Sequence, residues 1–240
     1  MISMVIKFEI HKLMIYTGLL LCTLSIFSIP LNDTDEVLTE ISKTSATLII
    51  DAGHGGDDGG TVGVDGVKES KINLEIAQRL HLLAKLCGIS TVMTRDSEEI
   101  DYPKEAHSIA ERKLFDQKSR LSLIQDYPHG ILYSIHQNAY PNENVSGIQV
   151  FYGHDEKSRS LGVFLQSSFN DTLGIQSRRL AAEISDNIYL MRHCNCTGIL
   201  VECGFLSNPE ECKLLQNDSY QKKLSTVMLG AFMEYTNLQG

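Results

Sequence analysis

The sequence predicts an α/β fold: a single domain with a central, mostly parallel sheet of about six strands flanked by helices. Three observations predict it. From Thr47 onward, short apolar or β-branched runs alternate with longer stretches of helical spacing, the pattern that layers helices on a parallel sheet. Apolar residues make up 42% of the chain against 21% charged, which suits a packed core. One step from strand to strand, between residues 131 and 152, contains no helix, so one pair is free to run antiparallel and make the sheet mixed.

The elements follow in order. "TLIID" (47–51) is a short apolar run, as a buried strand requires. "ESKINLEIAQRLHLLAKLCG" sets Ile72, Ile76, Leu80 and Leu83 on one helical face and stops at Gly88. "ISTVMTR" (89–95) is rich in β-branched residues and reads as the second strand. "IAERKLFDQKSRLSLIQ" (109–125) reads as a helix, "GILYSIHQN" (130–138) as the third strand and "GIQVFYG" (147–153) as the fourth. "KSRSLGVFLQSSFNDTL" (157–173) is helical, "NIYLMR" (187–192) is expected as the fifth strand and "GILVECG" (198–204) as the sixth. The chain from Pro209 to the end reads as helix.

The remainder is organised by charge. Lys7 and Lys12 precede "LMIYTGLLLCTLSIFSI" (13–29), which has no charged residue. Residues 1–30 therefore read as a signal peptide or a membrane anchor, with both forms open. Residues 31–46 are polar and acidic and read as a linker. Basic residues before the apolar segment and acidic ones after it place the domain outside the cytoplasm, secreted or anchored. A net charge of −9 excludes a broad nucleic-acid surface. Of six cysteines, Cys22 lies in the apolar segment and an odd number remains, which is no disulfide framework. "HCNC" (193–196) lacks a second matching pair and reads as structural or incidental.

Candidate chemistry gathers where strands end, as it does in open α/β sheets. His54 follows "LIID", His136 ends "ILYSIH", Glu202 ends "GILVE", and Glu69 opens the first long helix. Two imidazoles and a carboxylate make a zinc shell with room for water, and a further carboxylate can act as base. No HExxH helix fixes the ligands locally, and each residue taken alone has an ordinary structural reading. The run "DAGHGGDDGG" lacks both the phosphate-loop ending and GxGxxG spacing. Its glycines suit a sharp turn beside a metal and a bulky substrate. Asp57 and Asp58 read as solvated loop residues.

Four blocks, "IIDAGHGGDDGG", "KES", "SIHQNA" and "ILVECGFLSNPEE", resemble the zinc-dependent N-acetylmuramoyl-L-alanine amidases of the type 3 family. The resemblance covers residues 47–240, the expected catalytic domain. It implies that His54, Glu69 and His136 bind Zn2+ and that Glu202 is the catalytic carboxylate. The implied substrate is peptidoglycan, cut at the amide between N-acetylmuramic acid and L-alanine. The short chain, apolar N-terminal segment and absence of wall-binding repeats look most like the CwlD-type germination-specific spore cortex amidases. That likeness implies removal of stem peptides so that muramic-δ-lactam can form, in the forespore intermembrane or cortex space. It also implies placement through the N-terminal membrane segment or a membrane-associated protein partner. "CNCTG" stands where many relatives have a proline-containing turn, and no inhibitory helix stands out between His136 and Glu202. Asn138 and Arg192, near expected strand ends, are candidate contacts for glycan or peptide. Two alternatives stay open: a wall-binding scaffold with weak zinc affinity, and a zinc hydrolase acting on another peptide amide.

Overall fold

A computed structural model describes residues 46–173 and 179–239. The expected leader at 1–30, and all of the linker before Ala46, lie outside the described residues. Among those described, no helix is long and apolar enough to cross a membrane.

Six strands form one sheet: β1 (Leu48–Ala52), β2 (Thr91–Met93), β3 (Ile131–Asn138), β4 (Gln149–Tyr152), β5 (Ala182–Glu183) and β6 (Thr197–Phe205). Their order is β2-β1-β3-β6-β4-β5. β2, β1, β3 and β6 are mutually parallel, and β4 runs antiparallel to β6. The sheet is therefore mostly parallel and mixed, with the antiparallel pair made by β4, the strand that follows β3 without a helix.

The helices are α1 (Glu69–Leu86), α2 (Ile109–Gln125), α3 (Glu156–Thr172), α4 (Tyr189–His193), α5 (Pro209–Leu215) and α6 (Asp218–Gln239). Side chains alternate across a strand, so each strand feeds two layers. Leu48, Ile50, Tyr133, Ile135, Ile199 and Val201 join the larger core with α1, α3 and α6. Ile49, Leu132 and Leu200 join a smaller one with Leu121 and Ile124 of α2 and with Leu190 and Met191 of α4. The smaller layer covers only the amino ends of the strands, and the carboxyl ends on that face carry polar residues instead.

Local signals explain the helix starts. Ser108 and Glu111 form a reciprocal capping box at α2. Asn208 caps α5, which has proline in its first turn. The expected C-terminal helix is two helices, broken between Leu215 and Asp218.

"NIYLMR", expected as the fifth strand, is instead α4. Its consecutive Leu190 and Met191 are both buried in one layer, which a strand cannot arrange because neighbours point to opposite faces. Tyr189 and His193 stack at 4.6 Å, one helical turn apart. The fifth strand is Ala182–Glu183, two residues paired to Phe151 and Tyr152.

Beneath the carboxyl end of β1 lies a buried charge network. Asp51 is 0% exposed and accepts from Arg120 Nη1 at 3.0 Å, from Ser134 Oγ at 2.6 Å and from Thr94 Oγ1 at 2.8 Å. Arg120 also pairs with Asp116 one turn earlier in α2, at 2.9 Å. The network ties β1, β3, α2 and the residue that follows β2 together. Removing one partner of such a pair leaves a buried charge uncompensated, so Arg120→Met is expected to destabilise the domain by about 3–5 kcal/mol. The pair Arg120→Met with Asp51→Asn should recover part of that loss. Urea unfolding midpoints of the three proteins measure both effects.

Candidate metal centre

The site starts where β1 runs out. The N–H of Gly53 donates to Ile135 O at 3.0 Å, carrying the β1–β3 ladder one step further. A Cβ on Gly53 would collide with the His136 imidazole, so only glycine lets that ring lie across the end of β1. The next residue, His54, has φ = 60°. This left-handed conformation costs a non-glycine residue on the order of 1 kcal/mol and persists only where neighbours impose it. Arg95, which follows β2, imposes it. Its guanidinium donates to the carbonyls of Ala52 (3.0 Å), Gly53 (3.2 Å), His54 (2.7 Å) and Ser70 (2.7 Å).

Glu69, the first residue of α1, is 2% exposed. Its Oε1 lies 3.0 Å from His136 Nδ1 and 3.4 Å from His54 Nε2. The same oxygen accepts from Gln137 N at 3.1 Å and Asn73 Nδ2 at 3.2 Å, and Oε2 accepts from Thr61 N at 2.8 Å. Burial alone would raise this carboxyl. The hydrogen bond and charge of His136 and the charge of His54 outweigh burial and hold it at about 2. His136 is pushed up in turn: burial opposes its charge, but Glu69, Glu202 and Asp51 outweigh burial.

One ligand atom from each of His54, Glu69 and His136 lies within 4.8 Å of the others. The donor set fits a divalent zinc-like ion: two neutral imidazoles and a carboxylate, with a coordination position left for water or substrate. The surroundings fit as well. His54 turns Nε2 toward Glu69 while its Nδ1 sits 3.0 Å from Asp58 Oδ2, at ion-pair distance and short of hydrogen-bond geometry, in the position of the carboxylates that orient metal-binding histidines. Asp58 is anchored in turn by Lys113 of α2 at 2.9 Å.

Glu202 stands opposite His136 in the parallel register of β3 and β6, so the two side chains leave the same face of the sheet. Its Oε2 is shielded from solvent and has no hydrogen-bond partner among the described residues. Burial pushes its carboxyl up to about 7; His136 opposes the rise and the Glu69 charge adds to it.

The fold thus gathers His54, Glu69, His136 and Glu202 at the carboxyl ends of β1, β3 and β6. Asn138 ends β3 at the same edge, where its Oδ1 accepts from Ala139 N at 2.8 Å. Arg192 is not brought to this edge. It is exposed on α4, whose His193 carbonyl meets Gln125 at the end of α2, and the chain then enters the amino end of β6. Cys194 and Cys196 are free thiols, half-buried against the smaller core and outside the metal-type cluster. Sequence reasoning missed Arg95, Asn73 and the bracing role of Asp58. Asp58 lies four residues after His54, but only the fold of the glycine loop turns the two side chains together.

The profile of the N-acetylmuramoyl-L-alanine amidase family matches residues 48–232. The germination-specific N-acetylmuramoyl-L-alanine amidase of Bacillus subtilis is 33% identical over 194 residues, covering 80% of this chain and 81% of that relative. Among solved structures, the CwlD amidase from Clostridioides difficile in complex with the GerS lipoprotein is similar. It has a TM-score of 0.75 and 32% identity, covering 81% of this chain and 100% of that one. An N-acetylmuramoyl-L-alanine amidase from Clostridium difficile 630 has a TM-score of 0.70 and 28% identity, covering 82% and 100%. With the match spanning the whole sheet and every residue of the His54–Glu69–His136–Glu202 constellation, the chain belongs to the N-acetylmuramoyl-L-alanine amidase family.

Proposed function

We propose that the chain is a zinc-dependent amidase that removes stem peptides from the muramic acid of spore cortex peptidoglycan. The observation that carries this reading is the convergence of His54, Glu69 and His136, with Glu202 opposite His136 in the strand register.

His54, Glu69 and His136 would hold the ion. Zinc in such a site supplies a Lewis acid that acidifies water and polarises a carbonyl. Glu202 takes the proton from the attacking water and delivers it to the departing alanine nitrogen. A dication nearby favours the ionised carboxylate, which suits the first of these steps. Asp58 and Arg95 act on the same chemistry from behind, one by orienting His54 and the other by fixing the loop that carries it. Asn138, at the edge of the site, is proposed as a glycan or peptide contact. For Arg192, at the far end of the sheet, the placement offers no comparable support.

The cortex role rests on the likeness to the germination-specific relative of Bacillus subtilis and to CwlD. In this reading the protein works outside the cytoplasm, in the forespore intermembrane or cortex space. Its N-terminal segment brings it there as a leader or holds it there as an anchor, and a membrane-associated protein partner is the other means of placement. The complex of Clostridioides difficile CwlD with the GerS lipoprotein supports a partner of that kind. The product is a cortex glycan whose N-acetylmuramic acid has lost its stem peptide, and muramic-δ-lactam forms from it once a separate deacetylase has freed the amino group.

Two outcomes test the site. Glu202→Gln is expected to lower amide cleavage of purified peptidoglycan by about 10³-fold, the scale of a lost acid–base group, while one zinc per chain stays bound. Release of peptides beginning with L-Ala, followed by mass spectrometry, gives the rate, and elemental analysis gives the metal. Cleavage at near-normal rate would remove Glu202 from the mechanism. Asp58→Asn is expected to weaken zinc binding by about 10- to 100-fold through loss of the His54 brace. Competition against a chelator of known affinity measures it.

A further inference from the structure

The catalytic row does not stop at Glu202. β3 and β6 pair His136 with Glu202, and β6 and β4 pair Glu202 with Gln149. Cross-strand partners leave the same face, so His136, Glu202 and Gln149 form a line across three strands. The Gln149 side-chain amide donates to Val150 O at 3.2 Å and to Leu180 O at 2.7 Å. Both its N–H groups are therefore spent, and the orientation of the carboxamide is set. Its Oε1 has no partner among the described residues.

The segment that Gln149 holds is pinned elsewhere as well. Arg179 donates to Ser146 O from Nε at 3.2 Å and Nη2 at 3.0 Å, and its guanidinium lies 4.9 Å over the Phe205 ring. Its own carbonyl accepts from Asn170 Nδ2 at 2.9 Å. Yet the Leu180 side chain is 85% exposed. A lone exposed leucine is unremarkable on a protein surface. This one is different because its backbone is fixed by the residue that stands opposite Glu202.

We propose that Gln149 and Leu180 form the wall that receives the first stem-peptide residue, on the leaving-group side of the scissile amide. Leu180 packs on the methyl of L-alanine, and Gln149 Oε1 accepts the N–H of the following peptide bond. The direction comes from the row itself. The scissile carbonyl belongs with the His54–Glu69–His136 cluster, and Glu202 must reach the departing nitrogen. Gln149 lies on the side of Glu202 away from His136, where the chain beyond that nitrogen runs. This inference rests on the amidase reading above.

The test couples a change in the enzyme to a change in the substrate. Disaccharide-peptides carrying L-Ala or Gly as first residue are cleaved by the zinc-loaded wild type and by Leu180→Ala. The wild type is expected to prefer L-Ala by about fourfold in kcat/KM, the worth of one buried methyl. Leu180→Ala should raise KM for the alanyl substrate about fourfold, leave kcat within about twofold, and abolish the preference. Gln149→Leu should raise KM further, with thermal melting and zinc content reporting its fold. Titration of the free L-alanyl stem peptide into the zinc-loaded protein should show binding weakened by a similar factor in Leu180→Ala. A preference and a peptide affinity that survive Leu180→Ala unchanged would overturn the wall while leaving the amidase intact. A folded, zinc-loaded wild type that cleaves neither substrate nor purified peptidoglycan would overturn the amidase reading and this inference with it.

Discussion

The site depends on one buried carboxylate. Glu69 sits at the start of α1, on the layer opposite the smaller core, and reaches across the sheet end to touch three separate pieces of chain. Its two oxygens collect the Thr61 N–H from the glycine loop, the Gln137 N–H from β3, the Asn73 amide from its own helix and both imidazoles. A carboxylate at 2% exposure is costly unless its lone pairs are met, and these partners between them meet both oxygens. The same contacts that make Glu69 tolerable fix the distances between His54 and His136. Folding the helix onto the sheet and assembling the ligand set are therefore one event.

Two buried cations make that event possible. Arg120 neutralises Asp51 under β1, so the last residues of that strand keep their place without exposing a charge. Arg95 gathers four carbonyls at the turn that would otherwise be bare where the strand breaks off. Together they hold a backbone that local preference would not choose. His54 stays left-handed, and Gly53 and Gly60 supply room where a side chain would strike His136, His54 or Glu69. The glycines of "DAGHGGDDGG" thus serve clearance and turn geometry.

Much of this was legible in the sequence, for a physical reason. Buried parallel strands must be continuous apolar runs, so β1, β3 and β6 stood out, and the residues at their ends could be picked without knowing which would meet. The helices α1 and α2 were equally plain, because helical spacing and stop signals are local. What escaped was whatever tertiary contact alone decides. β5 is two residues, Ala182 and Glu183, held by pairing to β4 with no apolar signal of its own. α4 contains Tyr189 and follows Ile188, an aromatic and a β-branched residue that favour a strand, and it is helical because Leu190 and Met191 share one core. Asp58 looked like any loop aspartate until the loop closed on His54. Arg95 looked like the end of a strand, while its function is to receive carbonyls from a segment more than forty residues earlier.

The mixed sheet has a consequence for how the substrate meets the enzyme. In a fully parallel sheet, the neighbour of β6 would present its last residue beside Glu202, followed by a loop into a helix. β4 runs the other way, so its first residue, Gln149, stands there instead. The connection entering β4 consequently lies at the site edge, and Ser146 within it takes the Arg179 guanidinium. The chain that returns to the edge strand β5 passes the same place, tied there by Gln149. One reversed strand thus brings Ser146 and the backbone of Leu180 to the side of Glu202 opposite the metal-type cluster. The parallel strands hold the candidate reacting groups, and the antiparallel strand sets Gln149 beside them.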